Sequence, residues 1–144
     1  MSVLNGGYGA LVATTLVTPA RLSLRRLRRA FEASWDERTS YRSVVRDGNP
    51  AIGQCYPTAR VVQVFYPEAE IARGRVATPD GALETHFWNV FRSHHIDLTW
   101  QQFPTGSQVC GFELLERREL GDGRETSARC DLLLSRVLEH LARQ

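Results

Sequence analysis

Lysine is absent from this sequence, and all 18 of its basic residues are arginine. This absence excludes mechanisms that depend on a lysine amine, such as Schiff-base formation with a carbonyl substrate. The 16 acidic residues nearly balance the arginines and leave a net charge of +2. A charge this small does not indicate nucleic acid as an obligate partner, and a small or neutral substrate is equally compatible with it.

Cysteine is scarce. The sequence has three cysteines, Cys55, Cys110 and Cys130, an odd number without the spacing of metal ligands. This pattern argues against a disulfide framework and against a zinc site, and it fits a reducing cytoplasm. The sequence also lacks a glycine-rich phosphate loop, so we expect neither a metal nor a nucleotide cofactor.

Long apolar runs are missing as well. The mildly apolar stretch at residues 9–17 lacks a basic lead-in and is far shorter than the roughly 20 residues that span a membrane. We therefore predict a cytoplasmic protein without an export signal or a transmembrane segment. The 144 residues, 42% of them hydrophobic, fit one domain over residues 1–144, with residues 1–17 loosely attached.

The pattern along the chain predicts an α+β domain. Thr18-Pro19 is typical of a helix start, and we expect a helix to about Trp35. Its apolar face carries Leu24, Leu27, Phe31 and Trp35. Its opposite face carries four arginines, which indicate either a solvated surface or contact with an acidic or nucleic-acid partner. They are Arg21, Arg25, Arg28 and Arg29.

Residues 36–52 predict a loop, and residues 54–66 a short buried helix that begins beside Cys55. The apolar positions of that helix are Ala59, Val62, Val64 and Phe65. Strands are expected at residues 70–77, 83–91 and 96–100 as an antiparallel meander, and the stretch 112–120 is a candidate fourth strand. Thr126 or Ser127 is expected to cap a final helix, because leucines recur behind them.

Cys55 is the candidate nucleophile. A thiol attacks as the thiolate, which the unpaired N–H groups and the positive dipole end of a helix N-terminus stabilise. Gly53-Gln54-Cys55 places a thiol there, and the Cys55 N–H can join an oxyanion hole. The alternative is a buried structural cysteine.

His86 and Asp97 supply the context for a catalytic thiol. His86 lies 31 positions after Cys55, on a predicted strand that can aim its imidazole at the helix start. Asp97 follows 11 positions later, and a turn at residues 92–94 brings the two strands side by side. Asp97 can then orient the imidazole as the third member of a triad does.

Other polar and aromatic residues are secondary candidates. Gln54, Trp88 and Asn89 are candidates for substrate or oxyanion binding, whereas Tyr56 and Trp100 fit either a pocket lining or core packing. His94-His95 invites a metal site, but adjacent strand residues point to opposite faces, so we expect a surface turn instead. Cys110 and Cys130 have no acid or base of comparable order nearby and fit inert packing positions.

Four short motifs stand out in the sequence: Gly53-Gln54-Cys55, His86-Phe87-Trp88-Asn89, Ile96-Asp97-Leu98-Thr99 and Gln102-Phe103. Together they resemble the motifs of the YunG-like bacterial proteins and, more distantly, those of the papain-like and transglutaminase-like cysteine enzymes. The resemblance implies a papain-like fold, with Cys55 as nucleophile, His86 as base and Asp97 as orienter. In papain-like peptidases the oxyanion glutamine lies several residues before the cysteine, whereas Gln54 is adjacent to it.

Three functions fit the sequence. The first is acyl transfer or amide or thioester hydrolysis through an acyl-enzyme, acting on a small amide, a thioester or a carrier-bound acyl group. The second is a non-catalytic binding module that uses the arginine-rich helix or an aromatic groove. The third is a toxin of the same fold.

Overall fold

Three helices and one antiparallel sheet make up the part of the chain that the computed structural model describes, residues 22–41 and 48–143. The helices are α1 (Leu24–Ser34), α2 (Cys55–Phe65) and α3 (Arg124–Ala142). The strands are β1 (Glu70–Ala77), β2 (Leu83–Phe91), β3 (His94–Ile96) and β4 (Gln108–Leu115). Short 3-10 turns lie at Trp100–Gln102 and Arg117–Glu119. The predicted α+β class is confirmed.

The sheet has the strand order β3-β2-β1-β4, and every neighbouring pair is antiparallel. The predicted meander is confirmed for β1, β2 and β3. Strand β4 lies on the far side of β1 and spans residues 108–115, earlier than the predicted 112–120. Its pairing with β1 is irregular between Gly74 and Val76, opposite Gly111, whose φ of +127° favours glycine.

The third strand begins earlier than the pattern predicts. Arg92 and Ser93 both have positive φ, 50° and 68°, as a two-residue hairpin turn requires, so β3 begins directly at His94. The expected surface turn at His94-His95 is therefore wrong. The strand ends at Ile96 because the Asp97 carboxylate accepts the Thr99 backbone N–H at 3.2 Å and bends the chain out of the sheet.

Helix α1 begins at Leu24, because the Ser23 hydroxyl caps it by accepting the Arg26 backbone N–H at 3.1 Å. The predicted start at Thr18-Pro19 lies outside the described residues. The predicted apolar face is confirmed, since all four of its members are buried.

Helix α3 begins earlier than the sequence predicts. The predicted cap at Thr126 or Ser127 is wrong, because the Ser127 N–H donates to the Gly123 carbonyl at 2.9 Å and the helix already begins at Arg124.

The three helices enclose the main core together with β-strand residues from one face of the sheet. Members of this core include Leu27, Phe31, Val62, Phe91, Ile96, Leu133 and Val137. One predicted apolar position of the buried helix is wrong, since Val64 is 51% exposed. No helix in the described ranges has both the length and the apolar character to cross a membrane.

Candidate active site

Cys55 is the first residue of α2. Gly53, with a φ of +81°, reverses the chain before the helix, and its carbonyl accepts the Tyr41 N–H at 2.6 Å. The first helical hydrogen bond runs from the Thr58 N–H to the Gln54 carbonyl at 2.9 Å. The N–H of Cys55 therefore belongs to the helix terminus, where backbone donors have no intrahelical acceptor.

His86 is fully buried on β2. Its Nε2 lies 2.7 Å from Asp97 Oδ2, which accepts the imidazole N–H. Three aromatic rings surround the imidazole: Trp88 stacks at 5.5 Å between centroids, Phe103 lies edge-on at 4.8 Å, and Trp100 lies at 6.0 Å. The ring is thus held in one orientation by one carboxylate and three aromatic neighbours.

Asp97 is itself held at both oxygens. Oδ2 faces His86, and Oδ1 accepts from the backbone N–H of Thr99 at 3.2 Å and from its hydroxyl at 3.4 Å. The side chain is one-fifth exposed, so solvent reaches the carboxylate only in part. This anchoring fixes the acceptor that faces His86.

The surroundings of His86 favour its protonated form. Burial lowers the pKa of His86, but hydrogen bonds that its ring donates to the side chains of Asp97 and Cys55, together with the charges of both groups, outweigh burial and raise it to about 9. The same contacts show that the thiol and the carboxylate flank one imidazole. The structure therefore brings together Cys55, His86 and Asp97, which are far apart in the sequence.

Gln54, the first of the secondary candidates, is fully buried and turned towards the preceding loop. Its Nε2 donates to the backbone carbonyl of Asp36 at 2.9 Å. Its Oε1 is buried and has no hydrogen-bond partner within residues 22–41 and 48–143. The amide nitrogen thus links the start of α2 to the end of α1.

Trp88 and Asn89 are also buried. Trp88 Nε1 donates to His95 Nδ1 at 2.8 Å, so its polar edge faces β3. Asn89 Nδ2 donates to the Ala59 carbonyl at 3.0 Å and lies 3.4 Å from the Glu70 carbonyl. Asn89 therefore joins α2 to the sheet directly beneath the helix that carries the thiol.

Gln102 was given no role by the sequence, although it stands in one of the motifs. Its Nε2 lies 3.4 Å from His86 Nδ1, the ring nitrogen that Asp97 does not occupy. The same amide lies 3.2 Å from the Thr99 carbonyl, which fixes it in the 3-10 turn. The sequence offered one signal for this residue, the polar pair Gln101-Gln102 before Phe103. It could not predict where the Gln102 side chain lies, because that depends on the 3-10 turn and its contact with Thr99.

A cavity of about 1110 Å³ opens beside the thiol. Its lining includes Cys55, Tyr56 and Gln102 on one side and residues of β1 and β4 on the other. Tyr56 holds the glycine-rich segment before α3 in place, since its hydroxyl donates to Asp122 Oδ1 at 2.5 Å. Burial and the Asp122 carboxylate raise the pKa of Tyr56, so the phenol remains a donor at physiological pH.

The other two cysteines differ from each other. Cys130 is half-buried in α3, where burial and the charge of Asp122 raise its pKa to about 11. That environment disfavours the thiolate, in agreement with an inert packing role. Cys110 is exposed on β4 and lines the same cavity as Cys55, so the expectation that it packs in the interior is wrong.

The fold and the site define an α+β protein in which a helix-terminal thiol and a carboxylate flank a buried histidine. Residues 23–142 match the YunG protein family, so the chain belongs to that family. The matched span contains all three of these residues, and the resemblance is confirmed at the level of this family. No curated protein and no solved structure matches the chain.

Proposed function

We propose that the protein is a cysteine-dependent acyl-transfer enzyme, a hydrolase or an acyltransferase, built on a papain-like or transglutaminase-like core and working in the cytoplasm. The observation that carries the proposal is the His86 imidazole, held by Asp97 at 2.7 Å and hydrogen-bonded to Cys55. A pKa of about 9 keeps this imidazole protonated at neutral pH, which favours an imidazolium that stabilises a neighbouring thiolate.

In the proposed first step, the Cys55 sulfur attacks the carbonyl carbon of an amide or a thioester and forms a C–S bond. The electron pair of the carbonyl moves to oxygen, and the backbone N–H of Cys55, a donor at the helix terminus, would stabilise this oxyanion. The bond to the leaving nitrogen or sulfur then breaks, and His86 protonates the leaving group. The products are an acyl-enzyme at Cys55 and a free amine or thiol.

In the second step, water or an amine attacks the acyl-enzyme. His86, now neutral, removes a proton from the attacking group, the C–S bond breaks, and the sulfur leaves as the thiolate with His86 again protonated. Water yields a carboxylic acid, and an amine yields a new amide.

Gln102 is a second candidate donor to the oxyanion, because it lines the cavity and its Nε2 lies 3.4 Å from His86 Nδ1. Gln54 is poorly oriented for this role, since its amide donates to the backbone carbonyl of Asp36.

The test measures the rate of alkylation of Cys55 by iodoacetamide between pH 5 and 10, by peptide-resolved mass spectrometry. We expect rapid labelling near pH 6 in the wild type and loss of that reactivity in His86→Ala. Because removal of a buried ring can unfold the protein, Asp97→Asn is measured in parallel, and folding of each variant is checked by circular dichroism. Labelling that rises only near the ordinary thiol pKa of about 8.5 in all three proteins would contradict the proposal.

The second arm traps the intermediate. Acyl thioesters of N-acetylcysteamine are mixed with the protein, and acyl adducts are located by mass spectrometry. We expect an adduct on Cys55 that is absent from Cys55→Ala, which should fold normally because a helix N-terminus tolerates alanine. A reactive thiol without any adduct would favour the binding-module alternative over the enzyme.

A further inference from the structure

The floor of the cavity is the part of the sheet that α2 leaves uncovered. Helix α2 lies over β2, since Asn89 contacts Ala59 and Phe87 meets the Tyr56 ring at 4.9 Å. The first turn of the helix therefore lies at about the level of Phe87. Beyond this point the same sheet face carries residue 85 of β2 and, opposite it on β1, Arg75.

Among the residues that the structure describes, Arg75 is the arginine of this floor that has no ion-pair partner. Arg73, the other arginine of the lining, pairs with Glu113 at 3.0 Å. Asp122 pairs with Arg60 at 2.8 Å and also accepts from Tyr56. Arg75 is exposed and has neither an ion pair nor a side-chain hydrogen bond to any residue that the structure describes.

The pairing of β1 with β4 contains a β-bulge opposite Arg75. Gly74 pairs with Phe112 and Val76 with Val109, so the register shifts across Arg75, and two residues of β4, Cys110 and Gly111, stand where a regular ladder has one. Such bulges re-aim the side chains around them. Both residues line the cavity, so the irregularity lies within its floor.

Resting on the proposed function, we propose that Arg75 binds a carboxylate on the substrate, so that the enzyme acts on acyl or amide compounds with a carboxylate at their far end. A guanidinium matches a carboxylate through two parallel hydrogen bonds. One unpaired cation balances one carboxylate, whereas a phosphate dianion calls for a second cation, and Arg73 is already neutralised by Glu113. The floor thus favours a monocarboxylate.

The sheet geometry places the carboxylate several bonds from the reacting carbonyl. Residue 85 lies two positions from Phe87, roughly 7 Å along the strand, and Arg75 is one strand further, about 5 Å across. A reagent that reaches both Cys55 and Arg75 therefore needs a chain of several carbons. The rate at which a short acid modifies Cys55 therefore depends mainly on the charge of His86 beside the thiol.

The experiment uses matched thiol reagents on the full chain carrying Cys110→Ser, which removes the second thiol of the cavity. The long pair is 6-maleimidohexanoate and its primary amide, and the short pair is iodoacetate and iodoacetamide. The rate of modification of Cys55 is measured by mass spectrometry, and the result is the ratio of the acid rate to the amide rate. Four proteins are compared: the parent, Arg75→Gln, Arg75→Glu and Arg25→Gln, in which an exposed arginine of α1 is replaced as the control.

We expect the long-pair ratio to fall about fivefold in Arg75→Gln, as loss of a charge-assisted contact implies, and to fall further in Arg75→Glu. The short-pair ratio and the Arg25→Gln protein should change little. An equal long-pair ratio in parent and Arg75→Gln would overturn the proposal. The amide rates alone report the reactivity of Cys55, so a failure of the proposed function appears in them and a failure of anion binding appears only in the ratio.

Discussion

At the scale of single residues, His86 combines complete burial with two anionic or polar partners. A buried imidazolium is costly unless it is paired, and here the Asp97 carboxylate at 2.7 Å compensates that cost. Thr99 in turn holds Asp97. The carboxylate that pairs with His86 is therefore itself fixed by the backbone N–H of Thr99.

Asp97→Asn tests this dependence. Loss of the negative charge should lower the pKa of His86 from about 9, since the Asp97 hydrogen bond and charge are among the causes of the rise. Acyl-enzyme formation should fall by orders of magnitude, because an amide does not stabilise the imidazolium as a carboxylate does. The shift is read from the His86 ring signals in a pH titration by NMR, and the rate from mass spectrometry of the thioester reaction.

The control for this change is Asp131→Asn, which removes an exposed carboxylate from α3. It should leave both the titration of His86 and the acylation rate unchanged. If Asp97→Asn retained the wild-type rate, Asp97 would have no part in the proposed mechanism.

At this scale the sequence predicted which residues come together, but not how the neighbouring glutamine side chains are oriented. The types and order of Cys55, His86 and Asp97 were sufficient to predict that they lie close together, because a helix start, a strand and the residue that follows the next strand carry them. The orientation of Gln54 was not predictable, since it depends on the Asp36 carbonyl 18 positions earlier. Gln102 was missed because its place depends on a 3-10 turn built on Thr99.

At the scale of elements, the position of α2 on the sheet depends on a buried amide. Asn89→Ala should destabilise the protein by about 1–3 kcal/mol, because the Ala59 carbonyl loses the donor at 3.0 Å and the removed side chain leaves a void. The free energy of unfolding is measured by urea titration. Thr85→Ala, at an exposed position of the same strand, serves as the control and should change stability by less than about 0.5 kcal/mol.

The close approach of β1, β2 and β4 depends on a glycine. A Cβ at Gly74 would lie 2.5 Å from Trp88 Cη2 and 2.7 Å from the Gly111 carbonyl oxygen. Gly74→Ala should therefore cost about 1–3 kcal/mol of stability through overpacking. Gly121→Ala is the matched control, since a Cβ there meets nothing within 4 Å; equal melting temperatures for the two variants would show that the Trp88 contact yields readily.

The elements themselves were predicted unevenly. Strands β1 and β2 were placed correctly because turn residues bound them and apolar positions fill them. Strand β3 was displaced because its turn uses Arg92 and Ser93 at positive φ, where sequence rules expect glycine or asparagine. The start of α3 was misplaced because Gly123 precedes it without a side-chain cap, so no local signal marks the boundary.

At the scale of the whole molecule, the stability should depend on pH through His86. Its pKa in the folded protein, about 9, exceeds the ordinary value of 6.5, so its contribution is complete below pH 6.5 and is lost as pH rises through 9. The loss is on the order of a few kcal/mol, because one pKa unit corresponds to about 1.4 kcal/mol. Calorimetric melting in reducing buffer should show a fall in Tm between pH 6.5 and 9.5.

The same measurement on Asp97→Asn provides the comparison. With the pKa of His86 lowered, the folded and unfolded values lie closer together, and the fall in Tm over this range should be smaller. A wild-type Tm that stays constant from pH 6.5 to 9.5 would mean that His86 is not protonated in the folded protein.

The stacking of Trp88 on His86 has an optical consequence. The two rings lie 5.5 Å apart and within 28° of parallel, and the indole also donates its N–H to His95. A protonated imidazole beside an indole face is a quencher of its fluorescence, whereas the neutral ring is a weaker one. We therefore expect the fluorescence of Trp88 to report the protonation state of His86 without any attached label.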